Sequence, residues 1–228
     1  MKKNIKKILE KIMYCLFATK TDKIYKKIEK YDYVSFDIFD TLIKRKTSEP
    51  EDVFDIVEKK SNIQNFKKKR IEAQKKALLN TDREEITIKE IYQNFESVTK
   101  EERERLIQLE FDTEKKVCKQ NIDIFKLYKY CIEKNKNIYI ISDMYLPLNI
   151  IEEILKENNY IKYDKILLSS DIMYTKKSGN IFKNALDDNI RKNIIHIGDH
   201  PLSDYINPRR CGMKSILITK KKEKKNAR

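Results

Sequence analysis

Five short runs of β-branched, aliphatic and aromatic residues, separated by stretches of helical periodicity, constrain this chain more than any other feature. They are Tyr33-Val34-Ser35-Phe36, Asn137 to Asp143, Lys165 to Ser170, Asn193 to Asp199 and Lys214 to Thr219. Runs this short, alternating with helices, specify an α/β fold built on a parallel, doubly wound sheet. In such sheets the ligand crevice lies outside the carboxyl ends of the strands. The first run leads directly into Asp37-Ile38-Phe39-Asp40-Thr41-Leu42. In a straight strand Asp37 and Asp40 would face opposite sides, because side chains alternate with a period of two. They can serve one site only if the strand ends near Asp37 and the chain turns. Two buried carboxylates brought together repel and lose hydration, so they call for a cation or a shared proton.

The other runs deliver polar groups to the same edge. The second ends in Ser142 and the fourth in Gly198-Asp199, with Asp204 close behind, and Tyr174-Thr175-Lys176-Lys177-Ser178-Gly179 supplies a lysine. Singly, each has an ordinary explanation as a helix cap, a solvated lysine or a turn. Together they furnish what phosphoryl transfer requires: a nucleophile, a proton donor, positive charge for the phosphoryl oxygens and a divalent cation.

In this order Asp37-Ile38-Phe39-Asp40-Thr41, Ser142, Lys176 and Gly198-Asp199-His200-Pro201-Leu202-Ser203-Asp204 resemble the four motifs of the haloacid dehalogenase (HAD) superfamily. The resemblance covers about residues 33 to 219. Ser35 to Leu42 and Ser142-Asp143-Met144-Tyr145-Leu146-Pro147 look still more like a bacterial branch of it often associated with surface-polysaccharide genes. It implies a Rossmann-like core with an all-helical cap inserted after the first strand. It also implies a Mg2+-dependent hydrolase that acts on a small phosphomonoester, such as a sugar phosphate or nucleotide. Asp37 would be the nucleophile and Asp40 the acid and base, while Ser142, the Asp143 backbone amide and Lys176 would hold the phosphoryl group. The metal would be held by Asp37, the Asp40 carbonyl and Asp199, with Asp204 close by, acting through water. Lys177 is the alternative to Lys176. His196 reads as a strand residue and His200 as a loop residue, neither needed by the reaction. A phosphomutase-like transferase and a non-catalytic HAD scaffold are the rival readings.

Residues 47–118 carry helical periodicity throughout and no glycine, which marks an all-helical insertion between two segments, 32–46 and 119–220, and the resemblance implies that the insertion is the cap and the two segments are the core. Arg45, Lys69 and Arg70 are its candidate substrate readers, though solvation explains each of them as well. The formal charge of +14 comes mostly from dispersed lysine, which suits anionic small molecules and gives no concentrated face for nucleic acid. Cys15, Cys118, Cys131 and Cys211 form no CxxC pair and read as thiols of a reducing compartment, so a cytoplasmic protein is expected. In the basic N-terminal segment, 1–31, residues 4–17 place Ile5, Ile8, Leu9, Ile12, Met13, Leu16 and Phe17 on one helical stripe. Such a stripe is expected to pack on its own domain or on a partner, the alternative being a membrane surface at the inner face. The basic tail, 221–228, is expected to be disordered.

Overall fold

The computed structural model describes residues 2–96 and 98–219, so the tail lies outside the described residues. The chain opens with helix α1 (Lys2–Phe17), a 3-10 turn (Thr21–Lys23) and α2 (Ile24–Ile28), then enters strand β1 (Tyr33–Phe36). A second strand, β2 (Ile43–Arg45), leads into four helices: α3 (Asp52–Ser61), α4 (Phe66–Leu79), α5 (Ile88–Gln93) and α6 (Lys100–Val117). Strand β3 (Cys118–Gln120) brings the chain back, followed by α7 (Ile122–Glu133), β4 (Asn137–Ser142), α8 (Leu148–Glu157) and β5 (Lys165–Leu168). Three short helices, α9 (Ser169–Ile172), α10 (Asn180–Ala185) and α11 (Asp188–Asn193), precede β6 (Ile194–Gly198). A π-helical turn (Pro201–Ile206), α12 (Asn207–Arg210) and β7 (Lys214–Leu217) complete it.

Five strands form one parallel sheet in the order β5-β4-β1-β6-β7. β1 is central, with Phe36 opposite Ile140 on one side and Ile197 on the other. Val34, Ser35 and Phe36 are fully buried, as helices on both faces of a parallel sheet require. The chain builds outward from β1 through β4 to β5, then returns to add β6 and β7 on the opposite side. The winding therefore reverses beside β1, and the crevice at such a reversal is where α/β sheets place a ligand.

The helical block leaves and rejoins the core through a two-stranded antiparallel ribbon, β2 with β3, which pairs Lys44 with Lys119 and Arg45 with Cys118. No pattern of residues announces this ribbon, since each strand has three residues and the pair is mostly polar. Thr87 with Glu90, and Thr99 with Glu102, form reciprocal capping boxes that start α5 and α6. Pro147 caps α8, and Ser169 and Ser170 have left the strand for α9. The N-terminal stripe is not covered by its own domain. Ile24 and Ile28 of α2 are fully buried, but Ile5, Ile8, Leu9, Ile12 and Leu16 of α1 stay exposed, while Phe17 at its end meets a core ring, that of Tyr205.

Candidate active site

β1 ends at Phe36, and the Asp37 amide extends its pairing by one bond, donating to the Ile197 carbonyl at 2.9 Å. The chain then turns. The Ile43 amide donates to Ile38 O at 2.8 Å and the Asp40 amide to Ile43 O at 2.7 Å, with Asp40 at φ 63°. Aspartate tolerates this left-handed conformation better than bulkier residues do. The strand therefore ends at Asp37 and the backbone turns between the two aspartates.

Ser142, the last residue of β4, donates from Oγ to Asp37 Oδ1 at 3.1 Å. Lys176 Nζ lies 2.6 Å from the same oxygen and 2.6 Å from Asp204 Oδ1. Two donors on one carboxylate oxygen fix its rotation. Lys176 is buried while Lys177 is exposed, so the geometry separates the two adjacent lysines. Asp143 contributes a side-chain role the sequence did not suggest. Its Oδ1 accepts from the Lys176 amide at 2.7 Å and its Oδ2 from the Lys177 amide at 3.1 Å, which ties the lysine loop to the end of β4. Burial pushes the Asp143 carboxyl up to about 6, against the pull of Lys176.

Past β6, the Asp204 side chain folds back over Gly198. A Cβ at Gly198 would lie 2.5 Å from Asp204 Cβ, so this position has no room for a side chain. Asp204 Oδ1 also meets His196 Nε2 at 3.2 Å, and Oδ2 accepts from the His200 amide at 2.8 Å. A carboxylate only accepts, so His196 carries its proton on Nε2 and takes the Ser35 hydroxyl, 2.9 Å away, on Nδ1. His196 is thus a strand residue, as read, but one that supports the site. His200 is a loop residue whose Nδ1 accepts from the Ser203 amide at 3.1 Å.

Burial dominates the electrostatics here. It lowers the His196 pKa, which keeps the ring neutral. Burial alone would also lower that of Lys176, but Asp204 and Asp37 outweigh it and hold the ammonium charged. Burial works to raise Asp204, yet Lys176 and His196 keep it well below the usual carboxylate range. Asp37 ends raised, because burial and Asp204 together exceed the help from Lys176. Carboxylate oxygens of Asp37, Asp199 and Asp204 all lie within 4.8 Å of one another, and all three residues are buried. One lysine cannot neutralise three carboxylates. A hard, oxygen-seeking divalent cation fits this donor set and would favour the ionised form of Asp37.

The helical block reaches into the site through the loop between α4 and α5. Glu84 Oε2 accepts from the Thr175 amide at 2.8 Å, from Thr175 Oγ1 at 3.2 Å and from Ser178 Oγ at 2.6 Å, and Oε1 accepts from Asn180 Nδ2. Glu85 accepts from Ser169 Oγ at 2.7 Å, and Ser169 Oγ accepts in turn from the Met144 amide at 2.8 Å. Two adjacent glutamates therefore brace both the lysine loop and the backbone after Ser142. Nothing in the local sequence pattern marks them, because these partners lie 84 to 96 residues further along the chain. Two residues considered as substrate readers are otherwise engaged. Arg70 is fully buried against Glu110, with Nε and Nη2 each 2.8 Å from a carboxylate oxygen, and Arg45 pairs with Glu114 at 3.0 Å. Lys69 is exposed.

No protein-family model and no curated protein sequence matches the chain. Its fold is that of the HAD-type hydrolases. YfnB of Bacillus subtilis, solved with magnesium in a structure that reveals interdomain movement, is 14% identical with a TM-score of 0.57, over 82% of this chain and 88% of that one. The HAD family enzyme bt-2542 of Bacteroides thetaiotaomicron, in complex with magnesium and inorganic phosphate, is 11% identical with a TM-score of 0.54, over 84% and 96%. A 2-haloacid dehalogenase of Pseudomonas syringae pv. tomato is 16% identical with a TM-score of 0.57, over 81% and 85%. At these identities the likeness is one of fold, and the chemistry must be argued from the site.

Proposed function

We propose that this chain is a magnesium-dependent phosphatase acting on a small phosphomonoester through an aspartyl-phosphate. The observation that carries the reading is the setting of Asp37. It stands at the end of the central strand, clamped on Oδ1 by Lys176 and Ser142, with the Asp199 carboxylate beside it. Asp37 attacks phosphorus while Asp40 protonates the departing ester oxygen. Asp40 then takes a proton from water as the water oxygen attacks phosphorus, which releases phosphate and restores Asp37. Lys176 and Ser142 hold the nucleophile, and Lys176 adds positive charge for the phosphoryl oxygens. Asp204, already accepting from Lys176, His196 and His200, holds the lysine and would reach the cation through water. Magnesium held by Asp37, Asp199 and the Asp40 carbonyl would shield the two anions from each other and polarise the phosphoryl group.

The likeness to a haloacid dehalogenase raises a second reading. Dehalogenation gives no work to an acid at Asp40 or to a cation beside Asp199, so phosphate-ester hydrolysis accounts for more of the site. The bound complex of bt-2542 with magnesium and inorganic phosphate agrees with this chemistry. We infer that the helical block moves to admit substrate, because Asp37, Lys176, Asp199 and Asp204 are each at most 5% exposed and the block is hydrogen-bonded to the lysine loop beside them. We infer that the ribbon β2–β3 is the hinge, as interdomain movement in YfnB suggests. An enclosing cap favours a small substrate, a sugar phosphate or nucleotide, over a polymer.

Phosphate release from a panel of sugar phosphates, nucleotides and an aryl phosphate, with magnesium or with EDTA, tests the activity. Magnesium-dependent release supports it, and a panel left unhydrolysed under both conditions argues for a non-catalytic scaffold. Magnesium alone should also raise the melting temperature. Saturation at a hundredfold over the dissociation constant corresponds to about 2.7 kcal/mol, and Asp199→Asn should abolish the shift. A shift that survives Asp199→Asn would place the cation elsewhere. Glu84→Ala should lower turnover about ten- to a hundredfold by loosening the lysine loop, while the magnesium shift stays unchanged. Wild-type turnover in that variant would show the brace to be dispensable.

A further inference from the structure

Helix α1 is the part of the molecule whose surface fits its surroundings least. Its sixteen residues span about 24 Å at the usual rise per residue. Ile8 and Leu9 are each 57% exposed and Leu16 is 67% exposed, with Ile5 and Ile12 also open, so one face of the helix is a row of aliphatic side chains in water. Such a row on a charged chain marks a surface that is covered in use. The carboxyl end of the helix is anchored to the core. Tyr14 Oη donates to the Asp199 carbonyl at 2.7 Å, the Phe17 ring lies 5.5 Å from that of Tyr205, and the Thr19 amide donates to Leu217 O at 2.8 Å. The helix is thus fixed in place at one end while its apolar row remains open.

We propose that α1 docks this protein on an anionic lipid surface. The charge of the helix selects this occupant. Lys2, Lys3, Lys6, Lys7 and Lys11 stand against a single acidic residue, Glu10, and the whole chain carries +14. An aliphatic face joined to dense lysine is the composition of helices that lie in the headgroup region of anionic bilayers, the apolar side sunk toward the acyl chains. No helix among the described residues is long and apolar enough to cross a membrane, so the contact is peripheral. The hydrogen bond from Tyr14 to Asp199 then places the cation loop at the foot of the docked helix. The inference stands apart from the phosphatase reading, because lipid binding and phosphate release are measured separately.

The test is flotation of the full chain with vesicles of phosphatidylcholine alone, or of phosphatidylcholine with about one-third phosphatidylglycerol. We expect at least about tenfold stronger binding to the anionic vesicles, weakened by high salt. Ile8→Asp with Ile12→Asp should abolish it, and so should Lys6→Glu with Lys7→Glu. Ile8 and Ile12 are exposed, so the first pair should leave the melting temperature unchanged, and the melting temperature is measured for both. Equal binding to both compositions, or anionic binding that survives both double variants, would overturn the proposal. Light scattering that shows a dimer which Ile8→Asp with Ile12→Asp converts to monomer would overturn it as well, by assigning the face to a second copy.

Discussion

Replacing Asp37 with Asn should lower phosphate release by at least about a thousandfold while leaving the fold intact. The amide keeps the shape of the carboxylate and can still accept from Ser142, but it is no nucleophile toward phosphorus. The variant is not expected to unfold, because Lys176 keeps Asp204 at 2.6 Å and is never left as an unpaired buried cation. Burial also raises the Asp37 pKa, so removing its charge relieves a group that the protein alone does not favour ionised. The prediction is therefore a separation of effects, with activity gone and thermal stability kept or slightly raised. Parallel kinetics and thermal unfolding measure both. A variant with near wild-type turnover would exclude Asp37 as the nucleophile.

The largest effect on stability should come from Arg70. Its guanidinium is fully buried among helices α3 to α6, bidentate to Glu110, with the Phe54, Tyr145 and Tyr92 rings at 4.8, 4.9 and 5.4 Å. Glu110 in turn accepts from Tyr92 Oη at 2.8 Å and Tyr145 Oη at 2.9 Å. Tyr145 belongs to the core, three residues past Ser142, so the buried pair also joins the helical block to the active-site edge. Arg70→Met strips Glu110 of its counter-charge without access to water and should cost about 3–5 kcal/mol. Arg70→Met with Glu110→Leu removes both charges and should recover most of that loss. Urea unfolding of the two single variants and the double variant gives the coupling directly. A single-variant loss below about 1 kcal/mol would mean that the pair is solvated and the block loosely docked.

These two predictions draw on residues of very different legibility. Asp37, Ser142, Asp199 and their strands could be read because a parallel sheet collects the ends of its strands on one edge, which makes order along the chain informative. Lys176 could be narrowed to one of two positions only, since adjacent side chains on a loop are told apart by burial, and burial is a tertiary property. Arg70 and Glu110 show where such reading stops. Periodicity indicates that a helix has a buried face, but it does not say that an arginine on that face will find a glutamate 40 residues later. The brace from Glu84 is hidden for the same reason. The ribbon β2–β3 is hidden for another, because three-residue polar strands have no alternation to detect. With α1 the pattern was visible, and of the two covers expected for it, its own domain or a partner, the domain leaves the aliphatic row open. An amphipathic stripe signals that an apolar face needs covering, and it is silent on whether the protein itself supplies the cover.

The central claim is that Asp37 carries the phosphoryl group, and chemical trapping tests it most directly. An acyl phosphate is reduced by borohydride to the alcohol, so quenching the enzyme during turnover of its best substrate should convert Asp37 to homoserine, read by mass spectrometry of the peptide that contains it. The account predicts that conversion at position 37 alone, dependent on magnesium and on substrate. Steady phosphate release with position 37 unmodified in every quenched sample would contradict it.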